Sequence, residues 1–89
     1  MSDVRDNRDA QRFELERDGG VATLAYERRP GSIVFVHTEV PVALRGHGIG
    51  EALVEGALAL ARAEGLSVVA VCPFVRAYVA RHPEYLDLV

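Results

Sequence analysis

The chain has 89 residues, a net charge of −3 and a hydrophobic content of 49%, which indicate one small domain with a single core. A pI near 5.5 argues against nucleic acid as the main partner. No apolar run approaches the roughly 20 residues of a transmembrane helix, and the N-terminus lacks a signal-peptide core. We therefore expect a cytoplasmic protein without membrane association.

The first residues differ in composition from the rest. Residues 1–11 are charged and nearly free of apolar side chains, a composition typical of a disordered tail. We expect the folded domain to occupy residues 12–89. The single cysteine excludes an internal disulfide and disfavours a cysteine-rich metal site, so we expect no metal.

Three antiparallel strands are predicted next. Residues 13–16 alternate between apolar and acidic side chains, and residues 21–27 form the return strand after an Asp18-Gly19 turn. Pro30-Gly31 fits the centre of a type II turn, and a third strand follows over residues 33–40.

The second half of the chain predicts a helix, a strand and a second helix. Apolar residues recur at helical spacing over residues 49–64, and Gly65 is placed to end that helix. The apolar run 67–71 suits a strand buried on both faces. A second helix begins at Pro73 and ends near His82, and residues 86–89 are expected to form a last short strand. The prediction is an α/β fold, mostly antiparallel, with one parallel βαβ unit.

The junction between the third strand and the first helix carries the main functional signal. It holds glycines at positions 46, 48 and 50 and a single cation, Arg45. A helix N-terminus offers unpaired N–H groups and a partial positive charge. Glycines let a phosphate approach the backbone, and arginine supplies forked donors. The junction therefore predicts an anion site, suited to a diphosphate.

Three phosphate-loop patterns can be compared with this junction. A P-loop needs a lysine, and all ten basic residues of the chain are arginine. A dinucleotide fingerprint needs G-x-G-x-x-G and an acidic residue at the end of the next strand, where this chain has Cys72-Pro73. The third pattern, R-x-x-G-x-G, is matched by Arg45, Gly48 and Gly50.

This last pattern resembles the acetyl-CoA pyrophosphate loop of the GCN5-related N-acetyltransferases. The order of elements over about the last fifty residues also matches, and the ending from Cys72 to Tyr85 looks like a very short, poorly characterised branch of that superfamily. The resemblance implies a fold whose two parallel strands splay apart at the CoA site, here between residues 40–42 and 71–73. Pro41, which has no N–H, would interrupt the pairing there.

The resemblance also assigns residues to the acetyl-CoA site. The expected cofactor-binding residues are Val40, Val42, Arg45, Gly46, His47, Gly48, Ile49 and Gly50. Backbone groups of the splayed strand would orient the pantetheine arm. His47 donates to a phosphate in one interpretation and faces water in the other.

Three residues are candidates for catalysis, and each has a structural alternative. Tyr78 stands where the family often has a tyrosine that protonates the leaving sulfur, but it also fits a buried helix stripe. Glu39 shares a strand face with His37 and is either a base for the amine or half of a solvated pair. Cys72 precedes a helix N-terminus, which lowers a thiol pKa, and is either an acyl-accepting nucleophile or a wall of the site.

The resulting hypothesis is an acetyl-CoA-dependent N-acetyltransferase. Only a turn follows the first predicted strand, where larger family members have helices that shape the acceptor site. The acceptor, a small amine or a peptide, would therefore bind in an open groove or in one completed by a second subunit of a homodimer. The alternative hypothesis is a non-catalytic CoA-binding sensor or adaptor, which needs the loop but none of the catalytic candidates.

Overall fold

The computed structural model of the chain describes residues 3–89 and shows one mixed sheet with two α-helices. The strands, in chain order and in the same spatial order, are β1 (Arg5–Asn7), β2 (Arg12–Arg17), β3 (Gly20–Arg29), β4 (Ser32–Glu39) and β5 (Ser67–Ala70), and the helices are α1 (Ile49–Ala63) and α2 (Pro73–Arg81). Neighbouring strands from β1 to β4 are antiparallel, and β4 pairs with β5 in parallel. The predicted fold class is confirmed.

Turns and helix ends follow the glycines. Gly31, between β3 and β4, has a φ of 74°, and Gly65, just beyond α1, has a φ of 71°. Both values lie in the left-handed region, where glycine has no steric penalty. The positions of this tight turn and of the end of α1 can therefore be predicted from the glycines in the sequence.

The core lies on one face of the sheet. Phe13, Leu24 and Phe35 point from β2, β3 and β4 into a single buried cluster, to which α1 contributes Leu53 and α2 contributes Val75. Both helices therefore cover the same face. Within residues 3–89 the opposite face carries no helix.

The prediction of a disordered segment is wrong for residues 3–11. Arg5–Asn7 form β1 and pair antiparallel with β2, and Val4 is buried. Asp6 holds the segment further, because its carboxylate accepts hydrogen bonds from Tyr26 and Arg28. The charged side chains that suggested a solvated segment therefore form ion pairs with the rest of the domain. Met1 and Ser2, also part of that prediction, lie outside the described residues.

The C-terminal segment also differs from expectation. β5 is the edge strand, with Val68 buried and Val69 44% exposed, so it is not buried on both faces. Residues 86–88 form a turn that follows a 3-10 turn at Pro83–Tyr85. The carbonyl of Leu88 accepts a hydrogen bond of 2.7 Å from the Val68 N–H. The apolar residues therefore cap part of the β5 edge without adding a strand.

Residues 3–89 contain neither a membrane-spanning helix nor a cluster of metal ligands. No helix there is long and apolar enough to cross a bilayer. No group of three or more His, Cys, Asp or Glu side chains in the same range is placed to hold a metal ion.

Candidate functional site

The parallel strands β4 and β5 diverge in the middle of β4. Their pairing ends at Phe35 and Ala70. Beyond that point the N–H groups of Val71 and Cys72 both donate to the Phe35 carbonyl, each at 3.0 Å. The gap therefore opens at residue 36, several residues before the predicted position at 40–42. Pro41 is not its cause.

A β-bulge lies at the point of divergence. Tyr26 faces Phe35 while Ala25 faces His37, so Val36 is an extra residue in β4. A bulge shifts the alternation of side chains between the two faces. As a result Thr38 points to the core face, whereas His37 and Glu39 point to the uncovered face.

The carboxylate of Glu39 is available on this uncovered face. His37 Nε2 lies 3.4 Å from Glu39 Oε1, and the two side chains are 64% and 73% exposed. The spacing-based prediction that they share a face is confirmed. An exposed carboxylate beside an imidazole can accept a proton from a bound amine, directly or through water.

An open cavity of about 610 Å³ lies where the strands diverge. Its volume is within the usual range for small-molecule sites. It joins the end of β4 to the start of α1 and is lined by His37, Thr38, Glu39, Val40, Leu44, Arg45, Gly46, Gly48, Ile49, Gly50, Glu51 and Phe74. The predicted anion site and the strand gap thus open into one space.

The glycine loop, residues 45–50, has the backbone of an anion site. Gly46 and Gly48 have φ values of 82° and 73°, and a Cβ on either would meet no atom within 4 Å. Glycine is favoured at both positions because these φ values strain other residues. Without a side chain, both positions also leave the backbone open to a ligand. Gly48 is the N-cap of α1 and supplies no side-chain cap. The first N–H groups of α1 therefore have no intrahelical partners and can bind an anion.

Gly50 differs from the other two glycines of the loop. Its φ is not in the left-handed region, and a Cβ at this position would lie 2.8 Å from Cζ of Phe74. The ring of Phe74 therefore occupies the space that a side chain at residue 50 would need.

Arg45 folds back toward the end of β4. Its Nε donates to the Val40 carbonyl at 3.0 Å, and the side chain is solvent-accessible. This bond fixes the base of the guanidinium at the cavity wall. Its terminal N–H groups stay free to meet an anion, since no other hydrogen bond of Arg45 occurs among the described residues.

Leu44 fixes the glycine loop to the β2–β3 hairpin. It belongs to a 3-10 turn, Val42–Leu44, and is 5% exposed. A Cβ on Gly20 would lie 2.9 Å from Cδ1 of Leu44, so the leucine sits in the space left by that glycine. This apolar packing adds to the hydrogen bonds that Arg45 makes with Val40 and Val42 in holding the loop in position.

Cys72 lies at the start of α2, next to the cavity but not among its lining residues. The side chain is buried, and its Sγ is 3.3 Å from Oγ1 of Thr38, which does line the cavity. Burial raises the pKa of the thiol. Hydrogen bonding from Thr38 and from the N–H groups of Val75 and Phe74 outweighs burial and lowers the pKa overall, although the sulfur makes no regular capping bond.

Tyr78 is not brought to the cavity. It is buried in α2, where its ring stacks on His82 at 4.1 Å and lies 6.0 Å from Tyr85. Burial, with a contribution from Tyr85, raises its pKa to about 12. The hydroxyl is therefore protonated at neutral pH, and the ring occupies the buried helix stripe that was its structural alternative.

Two expected ligand residues also lie outside the cavity. Val42 is 77% exposed on the 3-10 turn, and His47 lines a neighbouring pocket with Arg17 and Asp18. Sequence reasoning did not identify Thr38 or Phe74. No local pattern marks Phe74, because its partner Gly50 is 24 positions away in sequence.

Comparison with known proteins agrees with this geometry. A family model described as GCN5-related N-acetyl-transferase matches residues 12–88, which includes β2 to β5 and both helices. The chain belongs to the GCN5-related N-acetyltransferase superfamily. It is also 35% identical to Protein NATD1 of Mus musculus over 89 residues, which cover 94% of this chain and 81% of the mouse protein. The resemblance inferred from the glycine loop is confirmed.

Proposed function

We propose that this protein binds acetyl-CoA with its pyrophosphate at residues 45–50 and transfers the acetyl group to an amine. One observation carries the proposal: the glycine loop and the gap between β4 and β5 line the same cavity. A ligand with its phosphates at the N-terminus of α1 can therefore place a distant reactive group beside Glu39.

Little chemistry is required of the protein. The amine nitrogen attacks the thioester carbonyl, the carbon–sulfur bond breaks, and the proton lost by the amine must be accepted nearby. Glu39 is the proposed acceptor of that proton, through water, because the residue lines the cavity and its carboxylate is exposed. The family's tyrosine role remains a proposal for Tyr78, which would have to act from outside the cavity.

Direct transfer is proposed in preference to an acyl-cysteine intermediate. Cys72 is 3% exposed, and among residues 3–89 the side chain that hydrogen bonds to its sulfur is the Thr38 hydroxyl, which is not a base. Intact-mass measurement after incubation with acetyl-CoA alone should show no added acetyl group. A stable acetyl adduct that disappears in Cys72→Ser would replace direct transfer with a covalent intermediate.

The acceptor is proposed to be an amine that approaches from the uncovered sheet face. His37 and Glu39 are exposed there, and no helix within residues 3–89 limits the size of what binds. Peptide amines should therefore fit as well as small polyamines. A second copy of the chain, forming a homodimer, would be one way to complete this face, and we propose a cytoplasmic location for the reaction.

A thiol-release assay tests turnover. Acetyl-CoA is supplied with a mixed panel of amines and peptides, and the expected result is acceptor-dependent release of CoA thiol that falls in Glu39→Gln. Glu16→Gln is the matched control, because Glu16 is an exposed carboxylate on β2, away from the cavity. Release that no acceptor stimulates would contradict catalysis.

A CoA-binding sensor or adaptor is the second candidate function. It is favoured by the position of Tyr78 in the helix stripe and by the burial of Cys72, which leave the cavity with a loop but few reactive groups. Tight binding of acetyl-CoA without release by any acceptor in the panel would support this function.

A further inference from the structure

Phe74 occupies an unusual position for a large apolar side chain. It is 38% exposed at the start of α2, yet its ring tip lies against Gly50 in the first turn of α1. The same point is bordered by Val40, whose Cγ2 would lie 3.5 Å from a Cβ at residue 50. Phe74 thus meets the cavity where β4 ends and α1 begins.

Phe74 lies where the two parts of the cavity wall meet. Its ring is against Gly50 of the glycine loop, and Val40, which directly follows Glu39 in the chain, borders the same point. A ligand that reaches from the loop to Glu39 therefore runs close to Phe74. An uncharged part of the ligand can pack against this apolar ring without the desolvation cost that a charged part would carry.

Gly50 therefore serves a different purpose from its neighbours in the motif. Gly46 and Gly48 have positive φ values and open surroundings, whereas Gly50 has neither. We propose that Gly50 is required as the socket for Phe74, and that the Gly50–Phe74 pair selects ligands carrying a long uncharged arm beyond their phosphates. This rests on the proposed function, since the arm is that of acetyl-CoA.

Two probes separate the arm from the phosphates. Acetyl-CoA carries both, whereas ADP carries the diphosphate without the arm. Phe74→Ala should lower the affinity for acetyl-CoA about tenfold, which is the loss expected when an aromatic contact surface is removed. The affinity for ADP should not change. Phe74→Leu should recover much of the loss, because leucine keeps an apolar wall. Nuclear magnetic resonance titration measures both ligands into the millimolar range.

A double-mutant cycle then tests the role of Gly50. Gly50→Ala places a methyl group against the flexible tip of the ring, so the protein should fold and the ring should shift. We expect Gly50→Ala to lower the affinity for acetyl-CoA when it is made in the wild-type protein. When it is made in the Phe74→Ala variant, it should have no further effect on that affinity. Leu86→Ala, an exposed apolar residue outside the cavity, is the control and should change nothing.

The contrary outcomes are distinct. If Gly50→Ala weakens ADP as much as acetyl-CoA, or keeps its effect in Phe74→Ala, Gly50 is a phosphate glycine and the inference is wrong. Equal loss of both ligands in Phe74→Ala would also overturn it. Wild-type protein that binds neither ligand would overturn the proposed function itself.

Discussion

The two ends of the β4–β5 pair have opposite characters. At the end where the strands begin, the guanidinium of Arg28 bonds to the carboxylates of Asp6 and Glu64, at 2.7 and 3.1 Å. Arg8 adds a second bond to Glu64 at 3.0 Å. At the other end the strands separate, a cavity opens, and Arg45 and Glu39 present charged groups to it.

The difference separates stability from function. Around Arg28 opposite charges are matched, and this hydrogen bonding lowers the pKa of Glu64. The end holds the N-terminal strand and the C-terminus of α1 together. Around the cavity, the first N–H groups of α1 have no side-chain cap, and the side chains of Arg45 and Glu39 are exposed, so they can meet a ligand. Substitutions at the two ends should therefore change different measured quantities.

The largest expected effect is on the rate of acetyl transfer, at the end of the β4–β5 pair where the cavity opens. If Glu39 accepts the proton of the amine, Glu39→Gln should slow transfer by about 10²- to 10⁴-fold. Its side chain is 73% exposed, so thermal stability should not change. Steady-state thiol release and a melting curve measure the two quantities. A variant with the full wild-type rate would remove Glu39 from the mechanism.

The next largest effect is expected on stability, at the end of the β4–β5 pair that holds Arg28. Arg28→Ala removes the less exposed of the two guanidinium groups that bridge Asp6 and Glu64, leaving only Arg8 between them, and should lower the free energy of unfolding by about 1–3 kcal/mol. Arg29→Ala is the control, because Arg29 is 61% exposed and 3.9 Å from Glu27, and should cost about 0–1 kcal/mol. Urea unfolding gives both values. Equal losses would mean that the paired charges do not stabilise this end.

The smallest effect depends on pH and belongs to β2. Hydrogen bonds from Arg12 and Asn7, and the charge of Arg5, lower the pKa of Glu14 in the folded protein. The stabilisation is therefore complete above the ordinary pKa of 4.5 and disappears as pH falls through the lower folded value. Compared with Glu14→Gln, the wild type should be about 1 kcal/mol more stable at neutral pH. A difference that persists at low pH would contradict this.

Sequence alone predicted the elements whose signals are local. The periodicity of α1, the stop at Gly65 and the turn at Gly31 each depend on residues close together in the chain, and each is confirmed. The positive φ values of Gly46 and Gly48 are likewise a local property, whereas the binding of an anion by this loop stays a prediction.

Features that depend on distant residues were not predictable. β1 is held in place by hydrogen bonds from Tyr26 and Arg28 to Asp6, about twenty positions earlier in the chain. The charged composition of this segment therefore led to the wrong prediction of disorder. The divergence of β4 and β5 coincides with the bulge at Val36, and that bulge depends on the register with β3. The contact of Phe74 with Gly50 likewise exists only after α2 has packed on α1.

The most direct measurement is calorimetric titration of acetyl-CoA into the wild type and two loop variants. Gly48→Val should abolish measurable binding by blocking the backbone, and Arg45→Ala should weaken binding about ten- to a hundredfold. Gly31→Val is the matched control, because Gly31 has a φ of 74° against 73° at Gly48, is equally open, and lies away from the cavity. It should bear the same backbone strain and bind normally. A folded Gly48→Val protein that binds acetyl-CoA as the wild type does would contradict the assignment of residues 45–50 as the pyrophosphate site.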